Sequence, residues 1–186
     1  SVEQRSPDVR IEAYFTFDHV SFYIDLAGES LFKRGWRLEH GEAPLKENLA
    51  AALLALSGWK PELPLVDPFS GSGTIAIEAA DMATNTAPGL MRRFAFERLP
   101  GLDKALWQEM KEDARAAQNR SAKVFIRASD ISTLVVEKAE ENCRRAGFGA
   151  LLDDGRIVFH QGDARSINAP EGAKGGLVIA NPPYGE

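Results

Sequence analysis

Cysteine is almost missing from this chain of 186 residues. Cys143 stands alone, so no disulfide closes within the chain, and a reducing compartment fits. Histidine is scarce as well. His19, His40 and His160 are scattered and follow no His-Glu-x-x-His pattern, so no zinc spacing is present. No apolar run approaches a membrane span and no signal-peptide pattern opens the chain, so a cytoplasmic location is expected. Positive charge is short: 22 Lys and Arg against 27 Asp and Glu give a net charge of −5 and a pI near 5.3. That excludes holding nucleic acid by bulk charge alone, but not a local basic face. The clusters available for one are Lys33-Arg34 with Arg37, Arg92-Arg93 with Arg98, and Arg144-Arg145. Internal repeats and low-complexity tracts are also missing. The chain opens on Ser1 without a methionine and stops two residues after Tyr184, and both ends read as cuts in a longer protein.

What is present is apolar material, 44% of the residues, enough for a proper core. The chain is organised around residues 65–74, Leu-Val-Asp-Pro-Phe-Ser-Gly-Ser-Gly-Thr. An apolar pair runs into an acid, a turn with two glycines and a helix start. Such a turn brings backbone N–H groups to a helix N-terminus, where an anionic group can sit. No Walker lysine follows it, which argues against a phosphate-loop nucleotidase. Asp130 ends a second apolar run, Asp163 follows a third at 156–160, and Asn181-Pro182-Pro183-Tyr184 follows a fourth at 175–180. In open α/β sheets ligands bind at that edge, so one shared site is expected. Asp130 lies 59 residues after Gly71. A nicotinamide fold expects its acid about 20 residues on, so the simple dinucleotide fingerprint fails.

Alternation on both sides of Asp18-His19 predicts a β-hairpin with one buried face. Residues 28–41 read either as a contact to an RNA backbone or as a connector whose Trp36 packs on the core. Leu45, Leu49, Leu53 and Leu56 recur at helical spacing, with Gly58 as the stop. Residues 83–122 form an insertion between strands, with a helix over 102–118 capped by Asp103, and Leu106, Met110, Ala114 and Ala117 on one face. Trp107 reads as a packing anchor. After Ser132, Val135, Ala139, Asn142, Cys143 and Ala146 define the inner face of a further helix, which makes Cys143 a small core residue rather than a nucleophile. His160 alternates with apolar neighbours and reads as structural.

These strand ends suggest a division of labour. The glycine turn suits a small charged group of a cofactor, Asp130 two vicinal ribose hydroxyls, and Asp163 the exocyclic amine of an adenine. The prolines lack N–H groups and leave outward carbonyl acceptors. Asn181 adds another acceptor and Tyr184 a flat apolar face. Together they can hold a planar ring bearing an amino group, reached from a single strand or by flipping out of a stack.

The combination resembles the S-adenosylmethionine-dependent amino methyltransferases. Residues 67–74 resemble their first cofactor motif, Asp130 their ribose acid, Asp163 their adenine contact, and 181–184 their catalytic Asn-Pro-Pro-Tyr. Within them, Ala43-Pro44-Leu45-Lys46-Glu47, Ile77-Glu78-Ala79-Ala80, Ala87-Pro88-Gly89-Leu90, the Trp107 insertion and Gly35-Trp36-Arg37 resemble bacterial large-subunit ribosomal-RNA guanine-N2-methyltransferases. The resemblance implies an α/β fold, a Rossmann-like class I methyltransferase sheet truncated after the fourth strand and preceded by a β-hairpin. It implies a hairpin and linker over 1–42 and the N-terminal part of a methyltransferase domain over 43–186. S-adenosylmethionine is the implied cofactor, ribosomal RNA the substrate, and a THUMP domain the upstream neighbour. No metal or membrane is involved. The implied cofactor-binding residues are Asp67, Phe69, Ser70, Gly71, Ser72, Gly73, Thr74, Asp130, Ile131, Asp163, Ala164 and Asn181. The implied catalytic residues are Asn181, Pro182, Pro183 and Tyr184. Lys46 reads either as a contact to the methionine carboxylate or as a surface lysine. The same pocket motif resembles adenine-N6 DNA methyltransferases and glutamine methyltransferases, and a non-catalytic cofactor- or RNA-binding module remains a further reading.

Overall fold

A computed structural model describes residues 7–38, 44–168 and 175–183. Four parallel strands form the sheet: β3 (Leu65–Asp67), β4 (Ile126–Asp130), β5 (Ile157–Gln161) and β6 (Leu177–Val178), in the order β5-β4-β3-β6. β1 (Arg10–Thr16) and β2 (His19–Asp25) form a separate antiparallel hairpin. Five helices accompany them: α1 (Glu47–Leu56), α2 (Thr74–Ala83), α3 (Lys104–Ala116), α4 (Thr133–Cys143) and α5 (Gly149–Asp153). β4 and β5 lie on one side of β3 and β6 on the other, so the strand order reverses at β3. The crevice beyond the carboxyl end of such a strand is where open α/β sheets receive ligands.

The core forms where apolar residues of the sheet meet α2 and α4. Leu65, Ile126, Ala128, Ile157 and Phe159 are buried against Ile77, Ala80, Val136, Ala139 and Cys143. Burial pushes the Cys143 thiol up to about 12, which suits an inert core residue. α2 is buried along nearly its whole length, and its alanines let it lie close to the strands. The inner face of α4 holds Val136, Ala139, Asn142 and Cys143, so Val136 takes the place expected of Val135.

The helical spacing of the leucines does give α1. Leu45 ahead of it packs against the core, Leu49, Leu53 and Leu56 are exposed, and the buried face is Glu47, Ala50 and Leu54. Ala50 allows close approach to α2, and Glu47 is buried because Arg37 lies beside it with a 3.5 Å contact. In α3, Asp103 caps the helix through Leu106 N at 2.9 Å, as expected. Leu106 and Met110 nevertheless face out. Trp107 is the packing anchor expected, with edge contacts to Phe94 and Phe96 at 5.8 and 4.9 Å. His160 is exposed rather than structural, because it stands on the sheet face that the described helices leave open.

The hairpin differs most. Thr16 pairs with His19, so the loop is Phe17-Asp18, one residue earlier than expected, with Phe17 at φ +53°. Alternation does place Ile11, Ala13 and Phe15 opposite Ile24, Phe22 and Val20. That face is not buried: Ile11 is 66% exposed, Phe15 76% and Phe22 70%. The hairpin joins the rest through residues 26–37. Phe96 N donates to Leu26 O at 3.1 Å. The Arg92 guanidinium donates to the carbonyls of Ala27, Glu29, Ser30 and Lys33. Trp36 is 2% exposed, which settles the connector reading over RNA contact for this residue.

Candidate active site

The glycine turn connects β3 to α2. Asp67 closes β3, and its Oδ1 accepts from Phe69 N at 3.1 Å, which starts the turn. Ser70 N donates to Ser129 O and Gly73 N to Ser70 O, both at 2.8 Å. Gly71 and Gly73 take φ of +50° and +83°, a region costly for any residue with a Cβ. A Cβ at Gly73 would stand 3.2 Å from the Phe159 ring and 3.3 Å from Ala139, so the core requires a glycine there. At Gly71 a Cβ would meet nothing within 4 Å. That side of the turn opens into free space.

Asp130 reaches this turn from the next strand. Its Oδ2 accepts from Gly71 N and its Oδ1 from Ser132 N, both at 3.1 Å. Ser132 itself occupies the N-cap position of α4 without a side-chain cap bond. The Asp130 carbonyl accepts from Gly162 N at 2.9 Å, which brings the turn after β5 to the same edge. Ile131, exposed beside Asp130, accepts from Gln161 Nε2 at 3.2 Å through its carbonyl. On the other side of β3, Ile179 N donates to Val66 O at 3.0 Å, so Asn181, Pro182 and Pro183 follow β6 at the carboxyl edge. Tyr184 lies outside the described residues.

Asp163 differs from Asp130. Arg165 holds both its oxygens, and this pairing keeps its carboxyl at about 2. Ala164 begins the short 3-10 turn that Asp163 caps. A cavity of about 450 Å3 lies here, lined by Arg127, Val158, His160, Gln161, Asp163 and Ser166 among others. It includes the Asp163 turn but neither Gly71 nor Asp130. Lys46 is exposed, with its ammonium 5.2 Å from the Phe32 ring centre.

Asp67 is 1% exposed, and burial pushes its carboxyl up to about 7; the Phe69 N–H opposes the rise and the Asp130 charge adds to it. Its Oδ2 and the Ser70 hydroxyl are buried without a partner among the described residues.

Two further contacts to the turn are not evident from the motif. Asn142 Nδ2 donates to Ser72 O at 3.0 Å, and Arg37 Nη2 donates to Thr74 Oγ1. A polar residue on the inner face of an amphipathic helix was the available signal for Asn142, since a buried amide needs a partner. Among the described residues no group of three or more His, Cys, Asp or Glu is placed to hold a metal. No helix among them is long and apolar enough to cross a membrane.

A parallel sheet reversing at β3, with a glycine turn and an acid joined at its carboxyl edge, is the arrangement of open α/β proteins that receive ligands at a topological switch point. Comparison with known proteins narrows this. Residues 34–186 match the family UPF0020, RMKL-like methyltransferase domain. The chain belongs to this family of S-adenosylmethionine-dependent methyltransferases. It is 41% identical over its whole length to the ribosomal RNA large subunit methyltransferase K/L of Vibrio campbellii, and spans 26% of the length of that relative. Among solved structures it is similar to a protein of Listeria monocytogenes assigned as an N6-adenine-specific DNA methylase, at 38% identity and a TM-score of 0.86. It is also similar to SMU.472, assigned as a methyltransferase and crystallised with S-adenosylhomocysteine, at 40% identity and a TM-score of 0.83. Each likeness covers 96% of this chain and 45% of the other.

Proposed function

We propose that the protein transfers the methyl group of S-adenosylmethionine to the exocyclic N2 amine of a guanine in large-subunit ribosomal RNA. The observation that carries the reading is the bond from Gly71 N to Asp130 Oδ2, which makes the glycine turn and the acid one site across 59 residues of chain. The substrate follows the name of the Vibrio campbellii relative and the sequence features shared with that branch.

The residues fit the cofactor. Each Asp130 oxygen accepts one backbone N–H and keeps lone pairs for vicinal ribose hydroxyls. The Gly71 side of the turn leaves room for close approach. Phe69, Ser70, Ser72, Gly73, Thr74 and Ile131 complete the wall, and Asp67 stabilises the turn through Phe69 N. Asp163 and Ala164 are assigned the adenine amine, which Asp163 would share with Arg165. When bound, S-adenosylmethionine supplies an electrophilic methyl group on sulfur.

Asn181 Oδ1 and the Pro182 carbonyl accept the two N–H groups of the target amine. They orient its lone pair and favour the more tetrahedral nitrogen that attack requires. Pro183 stiffens the turn, and Tyr184 is assigned base stacking. No side chain needs to act as a strong base, so the contribution of this chain is positioning. RNA affinity is assigned to a THUMP domain upstream and the compartment to the cytoplasm.

The likeness to the Listeria monocytogenes protein favours a second reading, adenine N6 of DNA. Label transfer from methyl-tritiated S-adenosylmethionine separates the two. The expected result is label in large-subunit ribosomal RNA, recovered as N2-methylguanosine. Label in DNA or in protein release factors alone would sink the guanine assignment.

A further inference from the structure

The glycine turn is held from behind by side chains that no cofactor motif contains. Asn142 Nδ2 donates to Ser72 O at 3.0 Å. Arg145 donates to Asn142 Oδ1 through Nη2 and to Trp36 O at 3.1 Å through Nε. From Trp36 the chain passes to Arg37, whose Nη2 donates to Thr74 Oγ1 and to Leu45 O, the latter at 3.2 Å. Ser72 Oγ lies 3.2 Å from Thr74 Oγ1. The path returns to its start: Ser72, Asn142, Arg145, Trp36, Arg37, Thr74. One turn further along α2, Arg34 pairs with Glu78 through two bonds of 3.0 and 3.1 Å.

Most of this circuit is buried, while Ser72 and Arg145, whose side chain is 34% exposed, are half-buried. Asn142 is 5% exposed, Trp36 2% and Thr74 4%. The Arg37 and Glu47 side chains are 6% and 4% exposed. Hydrogen bonds there are shielded from water and cannot be exchanged cheaply for bonds to it. Ser72 is the turn residue with its carbonyl held, and Thr74 opens α2. Fixing both holds Gly73 between them, whose N–H closes the turn on Ser70 O at 2.8 Å.

We propose that Asn142, Arg145 and Arg37 are positioning residues for the cofactor turn, and that through them residues 34–37, which lead in from the hairpin, are coupled to cofactor affinity. The proposal rests on the assignment of the turn to S-adenosylmethionine. It adds that the turn is preorganised by the preceding segment, not by its glycines alone. Preorganisation raises affinity because less ordering remains for the ligand to impose.

Asn142→Asp tests this with little change in packing. It keeps the size of the side chain and its bond to Arg145 but replaces the donor facing Ser72 O with an acceptor. Asn142→Leu removes both bonds. Calorimetric titration with S-adenosylhomocysteine, hydrogen exchange at the amides of residues 71–74, and thermal unfolding are measured on the wild type, both variants and Asp130→Ala. Expected is a loss of affinity of about tenfold in both Asn142 variants, with faster exchange at the turn, measured at a temperature where unfolding shows each variant to be fully folded. A merely structural asparagine would lower the midpoint but leave the affinity of the folded variants and the exchange at residues 71–74 at their wild-type values. Wild-type affinity and exchange in Asn142→Asp, with Asp130→Ala defective, overturn the brace and leave the site assignment standing. Absence of saturable binding by the folded wild type overturns both.

Discussion

The glycine turn and the β-hairpin are built from comparable lengths of chain and end up in opposite conditions. The turn residues Ser70, Gly73 and Thr74 are buried, and bonds reach Ser70 from β4, Ser72 from α4 and Thr74 from the connector. The hairpin has full cross-strand registry over seven residue pairs, yet every residue of β1 and all but one of β2 are exposed. Registry alone fixes which side chains face each other. Burial requires a second layer, and an isolated two-stranded ribbon is marginal without one. The comparison teaches that local pattern specified both elements equally well, while tertiary contact makes one of them rigid.

Substitutions test that contrast. The largest effect is expected from Arg34→Met, which strands Glu78 in the core. Glu78 is 2% exposed and its two oxygens face only that guanidinium among the bonds described, so the loss is about 3 kcal/mol in chemical unfolding. Asp130→Ala is expected to weaken S-adenosylhomocysteine binding about 100-fold by calorimetry, since it removes both the ribose acceptor and the bond to Gly71 N. Gly73→Ala combines a φ of +83° with a 3.2 Å contact to Phe159, and is expected to cost about 2 kcal/mol of stability.

A pH series gives a further check. Burial raises the Asp67 and Asp81 carboxyls from 3.8 to about 7 and about 8. Between the ordinary value and these raised values the folded state holds protons that the unfolded state has released. Stability therefore falls as pH rises through that window and levels off above about 8. Urea unfolding at intervals across the window measures it, and Asp67→Asn is expected to flatten its lower part. The smallest effect is expected on the hairpin: Phe22→Ser, at a residue 70% exposed, changes stability by less than about 0.5 kcal/mol. A loss of several times that would mean the hairpin is covered in solution and would end the contrast.

The site was more legible in the sequence than the helices around it. Turn chemistry and acids at strand ends are local signals, and parallel topology brings strand ends together, so Asp130 meets Gly71 as its place after an apolar run suggested. Helix phase depends on what a face meets. The leucines at 49, 53 and 56 marked the helix but not its buried face, because α2 offers alanines that accept Ala50 and Leu54 closely. Glu47 is buried for a reason invisible along the helix, namely a guanidinium ten residues upstream. The same holds for Trp36 and Arg37, whose basic and aromatic character suits RNA as well as a core until the partners Glu47 and Thr74 are in place.

Arg92 carries a mechanical consequence. One guanidinium grips four carbonyls of the connector that leaves the hairpin, and its charge lies 4.8 Å from the Phe94 ring centre. The insertion over residues 83–122 thus works as a clamp at the base of a lever. Along the chain, a load applied to the hairpin tip meets the Arg92 grip before it meets Trp36.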